Sequence, residues 1–202
     1  MGLRRVPYAR LEPLLRDHLS TEEDEGTRAL VRELRAARAR GYLTRGELEA
    51  VCRWKSPRAI RHVRANTPRQ VREATRAALG APSEERRLEA LTRLRGVSVP
   101  MASAVLTLLD PRRYGVIDIR VWQLLHEMGA VAGNRGGVGL GPGSWRQFLA
   151  VVRHFARRLG VKARDVERTL FDVHRAFQEG RLYRVAGAAR PRGAGRGNGR
   201  GA

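Results

Sequence analysis

Apolar residues recur every three or four positions along most of this chain, and no segment sustains an alternation of every second position. Trp145, Phe148, Val152, Phe155 and Leu159 make one such series, and Val166, Leu170, Val173 and Phe177 make another. That spacing lines one face of a 3.6-residue helix, whereas a half-buried strand needs a period of two. The fold class predicted is therefore all-α. Helix starts and stops are legible in places. Thr44-Arg45-Gly46-Glu47 has the form of a capping box opening a helix with Leu48 and Val51. Asn66-Thr67-Pro68 sets a cap residue and then a first-turn proline before Val71, Ala74, Ala78 and Leu79, with a stop at Gly80. Pro82-Ser83-Glu84-Glu85 opens a helix carrying Leu88, Leu91 and Leu94. Pro100–Leu109 and Ile119–Met128 complete the helical middle of the chain, the latter stopping at Gly129.

Charge narrows the function. The 202 residues carry 40 Lys and Arg against 20 Asp and Glu, a formal net charge of +20. At 42% hydrophobic, the chain has enough apolar material for one medium-sized core. An excess of this size predicts a polyanionic partner. Only Lys55 and Lys162 are lysines; the remaining cations are arginines. Residues 181–202 hold six arginines and no acid among many Gly and Ala, and read as a disordered basic Arg/Gly tail that adds non-specific attraction to nucleic acid. Without it, residues 1–180 keep 34 basic against 20 acidic residues, so the helical domain itself is strongly basic. Cys52 stands alone, which excludes a disulfide framework, a four-cysteine zinc site and a cysteine-held iron–sulfur cluster. No apolar run approaches the length of a membrane span, so the expectation is a soluble cytoplasmic protein with no membrane partner. None of the five histidines forms an H-x-x-x-H or H-E-x-x-H pair, and neither metal nor cofactor is expected.

Residues 84–109 form the segment with most functional content. Leu94-Arg95-Gly96-Val97-Ser98-Val99 lies between two short amphipathic helices. A tight glycine-containing turn of this kind points backbone N–H groups outward, and the second helix adds the positive end of its dipole. A DNA phosphate fits there without base contacts. An ordinary helix–turn–helix connection has the same spacing. The glycine-rich run from Gly133 to Gly143 lacks the Gly-Lys-Ser/Thr ending of a phosphate loop and the G-x-G-x-x-G spacing, and reads as a flexible inter-helix loop.

The run from Leu94 to Leu106, with Tyr114-Gly-Val-Ile-Asp118-Ile-Arg-Val-Trp122 after it, resembles the base-excision DNA glycosylases related to endonuclease III. Their helix-hairpin-helix reads L-P-G-V-G, then a residue pair and T-A-x-x-x-L, and their V-D-T-H-V segment opens a helix with the catalytic aspartate. Asp118 stands 18 residues after Pro100, the separation of that family's catalytic-lysine position from its aspartate. The likeness is close from Arg87 to Trp122; the flanking helices agree only in pattern. It implies Asp118 as the catalytic carboxylate and Arg95, Gly96, Val97, Ser98, Val99, Met101 and Arg120 as DNA-contacting positions. Pro100 occupies the position of the Schiff-base lysine in bifunctional members. The resemblance therefore implies a monofunctional, water-using glycosylase without lyase activity. Ser98 replaces the second hairpin glycine.

The residues themselves bear on this. Between Ala90 and Arg164 only Asp110, Asp118 and Glu127 are carboxylates, against 12 arginines and lysines. An anion beside a developing oxocarbenium stabilises the transition state, and can direct or deprotonate water. An Asp at that position also caps the helix that follows, and the two roles can coexist. An extruded nucleotide needs a pocket with ring and apolar walls. Trp54 and Lys55 in Arg53-Trp54-Lys55-Ser56-Pro57-Arg58, Tyr114 and Trp122 are the candidates, each ring having core packing as its alternative. Double-stranded DNA with a modified base is the expected partner of a monomeric, nucleoid-associated enzyme. A non-catalytic helix-hairpin-helix DNA-binding protein is the alternative, and an RNA-binding protein leaves Asp118 unexplained.

Overall fold

A computed structural model describes residues 2–3, 6–179 and 182. The chain is helical: α1 (Leu11–His18), α2 (Glu25–Glu33), α3 (Arg35–Arg40) and α4 (Arg45–Lys55) precede a single 3₁₀ turn at Pro57–Ala59. Then follow α5 (Ile60–Arg64), α6 (Pro68–Gly80), α7 (Glu84–Thr92), α8 (Val99–Leu109), α9 (Ile119–Glu127), α10 (Pro142–Leu159) and α11 (Ala163–Phe177). Two two-residue strands, β1 (Gly2–Leu3) and β2 (Gln178–Glu179), pair antiparallel and bring the start of the chain to the end of α11. The segment 181–202, read from sequence as a disordered tail, lies outside the described residues apart from Leu182.

The helix starts are set by short polar side chains. Thr44 accepts the N–H of Glu47, and Glu47 in turn accepts the N–H of Thr44, which closes the capping box of α4. Thr67 and Gln70 do the same for α6, with Pro68 in its first turn. Thr67 is the cap residue of that run, and the Asn66 side chain before it is used elsewhere. Ser83 caps α7 by accepting the N–H of Arg86. Gly129 and Gly160, both with positive φ, end α9 and α10.

One cluster of buried apolar residues runs from Val6 to Val173. At its centre lies α8, in which every residue except Pro100 is buried. A helix apolar all round must be surrounded, and α8 packs against α2, α3, α4 and α7. Its two hydroxyls satisfy themselves on the preceding turn, Ser103 donating to Pro100 O and Thr107 to Ser103 O. On the other side, α11 packs against α1, α9 and α10, with Val166, Leu170 and Val173 buried. The junction between these two halves carries the site.

Candidate active site

The turn between α7 and α8 is held by geometry that only glycine meets. Gly96 has φ +78°, and a Cβ there would stand 2.9 Å from His62 Cβ and 3.0 Å from the Val63 backbone nitrogen. Asn66, 3% exposed, clamps the neighbouring residue like a strand partner. Its Nδ2 donates to Arg95 O at 2.9 Å and its Oδ1 accepts the Arg95 N–H at 2.9 Å. Nδ2 also donates to Val63 O at 2.8 Å, which ties the turn to the end of α5. Val97 and Val99 are buried and anchor the turn in the core, while Arg95 and Ser98 are exposed. Ser98 takes the N-cap backbone position of α8 with no side-chain hydrogen bond of its own among the described residues. The N–H groups of the first turn are therefore without a side-chain cap. Pro100 is the second residue of α8 rather than its first.

Asp118 opens α9 from an extended backbone, φ −146° and ψ 178°. Its Oδ1 accepts the N–H groups of Arg120 at 3.0 Å and Val121 at 3.1 Å. Oδ2 faces Lys55 Nζ at 3.3 Å, each side chain being 19% exposed. The approach to Asp118 is pinned from two sides. The Ile117 N–H donates to Ser103 Oγ of α8 at 3.1 Å. Gly115 lies so close to α11 that a Cβ would stand 2.6 Å from Glu167 Cβ. Burial pushes the Glu167 carboxyl upward, and the Arg164 guanidinium and the Val116 N–H oppose that rise. Arg164 also pairs with Glu23 at 2.8 Å, and Arg168 with Glu23 at 3.4 Å, so a buried ion network backs the segment.

Lys55 reaches Asp118 because α4 ends there. Pro57 excludes helical backbone at Ser56, which has φ −155° and ψ 76°. Lys55 and Asp118 line a cavity of about 480 Å³, with Gly96, Ser98, Pro100 and Met101 contributing the hairpin wall. The third wall is Gly137, Val138, Gly139 and Leu140. The glycine-rich segment, expected to be a flexible connection, is instead tied down by side chains of α9 and α10. Trp122 Nε1 donates to Asn134 O at 2.9 Å, Gln123 Nε2 to Gly136 O at 2.9 Å, and the Ala132 N–H to Gln147 Oε1 at 2.8 Å. A Cβ on Gly137, φ +67°, would stand 3.3 Å from the Ile119 backbone. Val138, at 69% exposure, is the one exposed large apolar side chain among the described residues.

The structure brings Asp118, Lys55, Gly96, Ser98, Met101 and Arg120 to this cavity. Arg120 bonds to Gln178 and lies over the Phe171 ring at 5.6 Å. The three candidate rings stand elsewhere. Trp54 points away from Lys55, its Nε1 donating to Thr27 Oγ1 at 2.8 Å with Arg164 over its ring at 5.5 Å. Tyr114 is buried, stacked on Trp145 with centroids 6.2 Å apart, its hydroxyl donating to Glu84 at 3.1 Å. Burial, with the Glu84 charge beside it, pushes that phenol upward. Trp122 is fully buried and holds the loop. His174, buried under the site on α11, meets Gln123 Oε1 at 3.0 Å, while its Nδ1 lacks a partner. Burial pulls its pKa down to about 4, and the Arg120 charge adds to that. Among the described residues, no group of three His, Cys, Asp or Glu side chains is placed to hold a metal. No helix there is long and apolar enough to cross a membrane.

No protein-family model matches this chain, and no curated protein and no solved structure matches it. Chemically, the arrangement offers a fixed carboxylate and an amine on one side of a cavity. Uncapped helix N–H groups and a glycine turn lie on another.

Proposed function

We propose that this chain removes a modified base from double-stranded DNA by hydrolysing its N-glycosidic bond. One observation carries the reading: a half-buried carboxylate, immobilised through one oxygen by the α9 N-terminus, lines a nucleoside-sized cavity next to an uncapped helix start. The Gly96 turn and the first turn of α8 take a backbone phosphate, with Arg95 and Ser98 exposed beside them. The target nucleotide leaves the stack and enters the cavity between the hairpin and the Gly137–Leu140 wall. As the glycosidic bond lengthens, positive charge develops on the sugar. The Asp118 carboxylate is already oriented and needs no reorganisation to stabilise it, and it directs the attacking water. Neither metal nor cofactor enters these steps.

The full engagement of Asp118, one oxygen capping α9 and the other facing Lys55, favours a second reading, a helix-hairpin-helix protein that binds DNA without chemistry. Asp118→Asn separates the two, since asparagine caps a helix nearly as well as aspartate. Wild type and variant are incubated with duplexes carrying alkylated, oxidised, deaminated and bulky bases, and free base is measured by mass spectrometry. The proposed function expects one class of free base from wild type and none from Asp118→Asn at equal DNA affinity. Equal binding of every duplex with no base released by either protein supports the binding-only reading.

A further inference from the structure

We propose that the chain carries a second phosphate-binding site at the far end of α8 from the hairpin, and that it holds the sugar-phosphate backbone of a separate DNA duplex, so that one chain bridges two duplexes. The site is a concavity of about 520 Å³ walled by Arg112 and Arg113, which follow α8, and by Arg153, Arg157 and Gly160 of α10 and its end. The bridging rests on the reading of the hairpin as a DNA site; the second site does not. Ser98, just before α8, lines the Asp118 cavity, and Arg112 comes shortly after its last residue, Leu109. A helix of 11 residues spans about 16 Å. Because α8 runs buried through the core, its two ends open on opposite sides of the domain. A straight duplex seated on one end does not touch the other.

Charge and geometry both point to an anion. Surface arginines elsewhere are matched by glutamates of their own helix, as in Arg16–Glu12, Arg69–Glu73 and Arg93–Glu89. The stretch from Pro111 to Ile117 and the whole of α10 contain no Asp or Glu. Among the described residues, Glu84 of α7 is the one carboxylate paired with any of the four arginines, to Arg153 at 2.8 Å and to Arg113 at 3.3 Å. That pairing fixes two guanidiniums, which also lie over the Tyr114 ring at 5.0 and 5.4 Å. Arg153 Nε donates to Arg113 O at 2.9 Å as well. Arg112 and Arg157 are exposed and their guanidiniums have no partner among the described residues. Arg153 and Arg157 stand four apart on one helix face, where like charges destabilise. An anion between them offsets that repulsion.

The lining selects among anions. Guanidinium forks match the oxygens of a phosphate. Beside them stand Ala156, Gly160 and Val161, which offer neither a ring to stack a base nor a side-chain group to read its edge. The site therefore takes backbone rather than a free nucleotide. The first N–H groups of α11 are already spent, that of Ala163 on Arg112 O and that of Arg164 on Pro111 O. Attraction comes from the guanidiniums alone and should fall steeply with salt.

The test uses the full chain and a double variant, Arg112→Gln with Arg157→Gln, which leaves the Glu84 pairs in place. Native mass spectrometry with excess short undamaged duplex counts duplexes per chain. Energy transfer between donor-labelled and acceptor-labelled duplexes reads bridging. Wild type should hold two duplexes per chain. The double variant should hold one, lose the transfer signal and melt no lower than wild type, since it relieves the repulsion along α10. Arg157→Gln alone should flatten the salt dependence of the second binding event by about one phosphate contact. On wild type, the duplex should protect Arg112 and Arg157 from a dicarbonyl reagent, a mapping that needs no variant. Unprotected arginines overturn the proposal, as does a double variant that holds as many duplexes as wild type. If inorganic phosphate raises the Tm of wild type and not of the double variant while the duplex count is unchanged, the site takes a free anion and the proposal fails. A wild type that holds one duplex and loses it in the double variant keeps this site and removes the hairpin as a DNA site.

Discussion

Replacing Asn66 by alanine tests whether the hairpin is held by a side-chain clamp rather than by its own turn. The substitution deletes three short hydrogen bonds, to Arg95 O, Arg95 N–H and Val63 O, at 2.9, 2.9 and 2.8 Å, and a longer one to His62 O at 3.4 Å. Each short bond is worth about 1 kcal/mol net, and the loss leaves part-buried backbone groups unpaired, so the expected cost is about 3 kcal/mol. For a domain of this size that lowers Tm by about 6–12 °C. Asn66→Asp sharpens the expectation. It keeps an acceptor for the Arg95 N–H but sets a carboxylate oxygen against two carbonyls, so it destabilises at pH 7 at least as much as alanine. Protonation restores a donor, so the gap between Asn66→Asp and wild type narrows as pH falls. Circular-dichroism melts across pH and fluorescence anisotropy with duplex DNA read these effects. Both variants should bind DNA more weakly at temperatures where they remain folded. An alanine variant within about 0.5 kcal/mol of wild type, or an aspartate variant as stable as wild type at pH 7, refutes the clamp.

Three further outcomes follow from the same geometry. Gly96→Ala forces a side chain into left-handed backbone and onto the Val63 nitrogen 3.0 Å away. It should cost about 2 kcal/mol or more by urea denaturation. His174, pulled down to about 4 in the folded protein from an ordinary 6.5, binds its proton more readily when unfolded. Stability should therefore fall as pH drops from about 6.5 to about 4, by up to about 3 kcal/mol. His174→Gln should remove that slope, measured as ΔG of unfolding against pH. Affinity for undamaged duplex should fall linearly in log–log plots against salt, and Arg95→Ala should flatten the slope by about one phosphate contact.

The helices that were legible carried both an apolar stripe and a chemically marked start. Thr44, Thr67 and Ser83 announce α4, α6 and α7, and α9, α10 and α11 end or begin where glycines and apolar spacing indicate. By contrast α3, Arg-Ala-Ala-Arg-Ala-Arg, buries only Ala37, and α5 buries only Val63. Such short helices depend on tertiary packing, which leaves little periodicity to read. Within the site, Asp118 and the Gly96 turn are visible because their local sequence demands them. Asn66, Ser103 and Glu167 are not, since each acts through a partner far along the chain: Asn66 on Arg95, Ser103 on Ile117, Glu167 beneath Gly115 and Val116. The rings were the opposite case. Trp54, Tyr114 and Trp122 have the chemistry of a base-stacking wall, but each has a burial partner that uses it, and the wall facing the hairpin is glycine and small aliphatic side chains.

At Asp118 a helix-capping role and the proposed catalytic role need not compete. A capping role uses one carboxylate oxygen, and Oδ1 receives both α9 N–H groups. Oδ2 is free of that duty and meets an amine at the cavity. Were the pair present for stability alone, it should couple strongly. Both side chains retain 19% exposure, and ion pairs that stay in contact with water contribute about 1 kcal/mol at most. A double-mutant cycle with Asp118→Asn and Lys55→Gln, read by denaturant unfolding, should therefore give a coupling of about 1 kcal/mol or less. Base release should vanish in Asp118→Asn whatever the size of that coupling. A coupling of about 3 kcal/mol or more, of the size found when a buried pair is broken, would instead make the pair a structural clasp. Asp118 would then be a cap with a counter-ion, and the chemistry would have to come from elsewhere in the cavity.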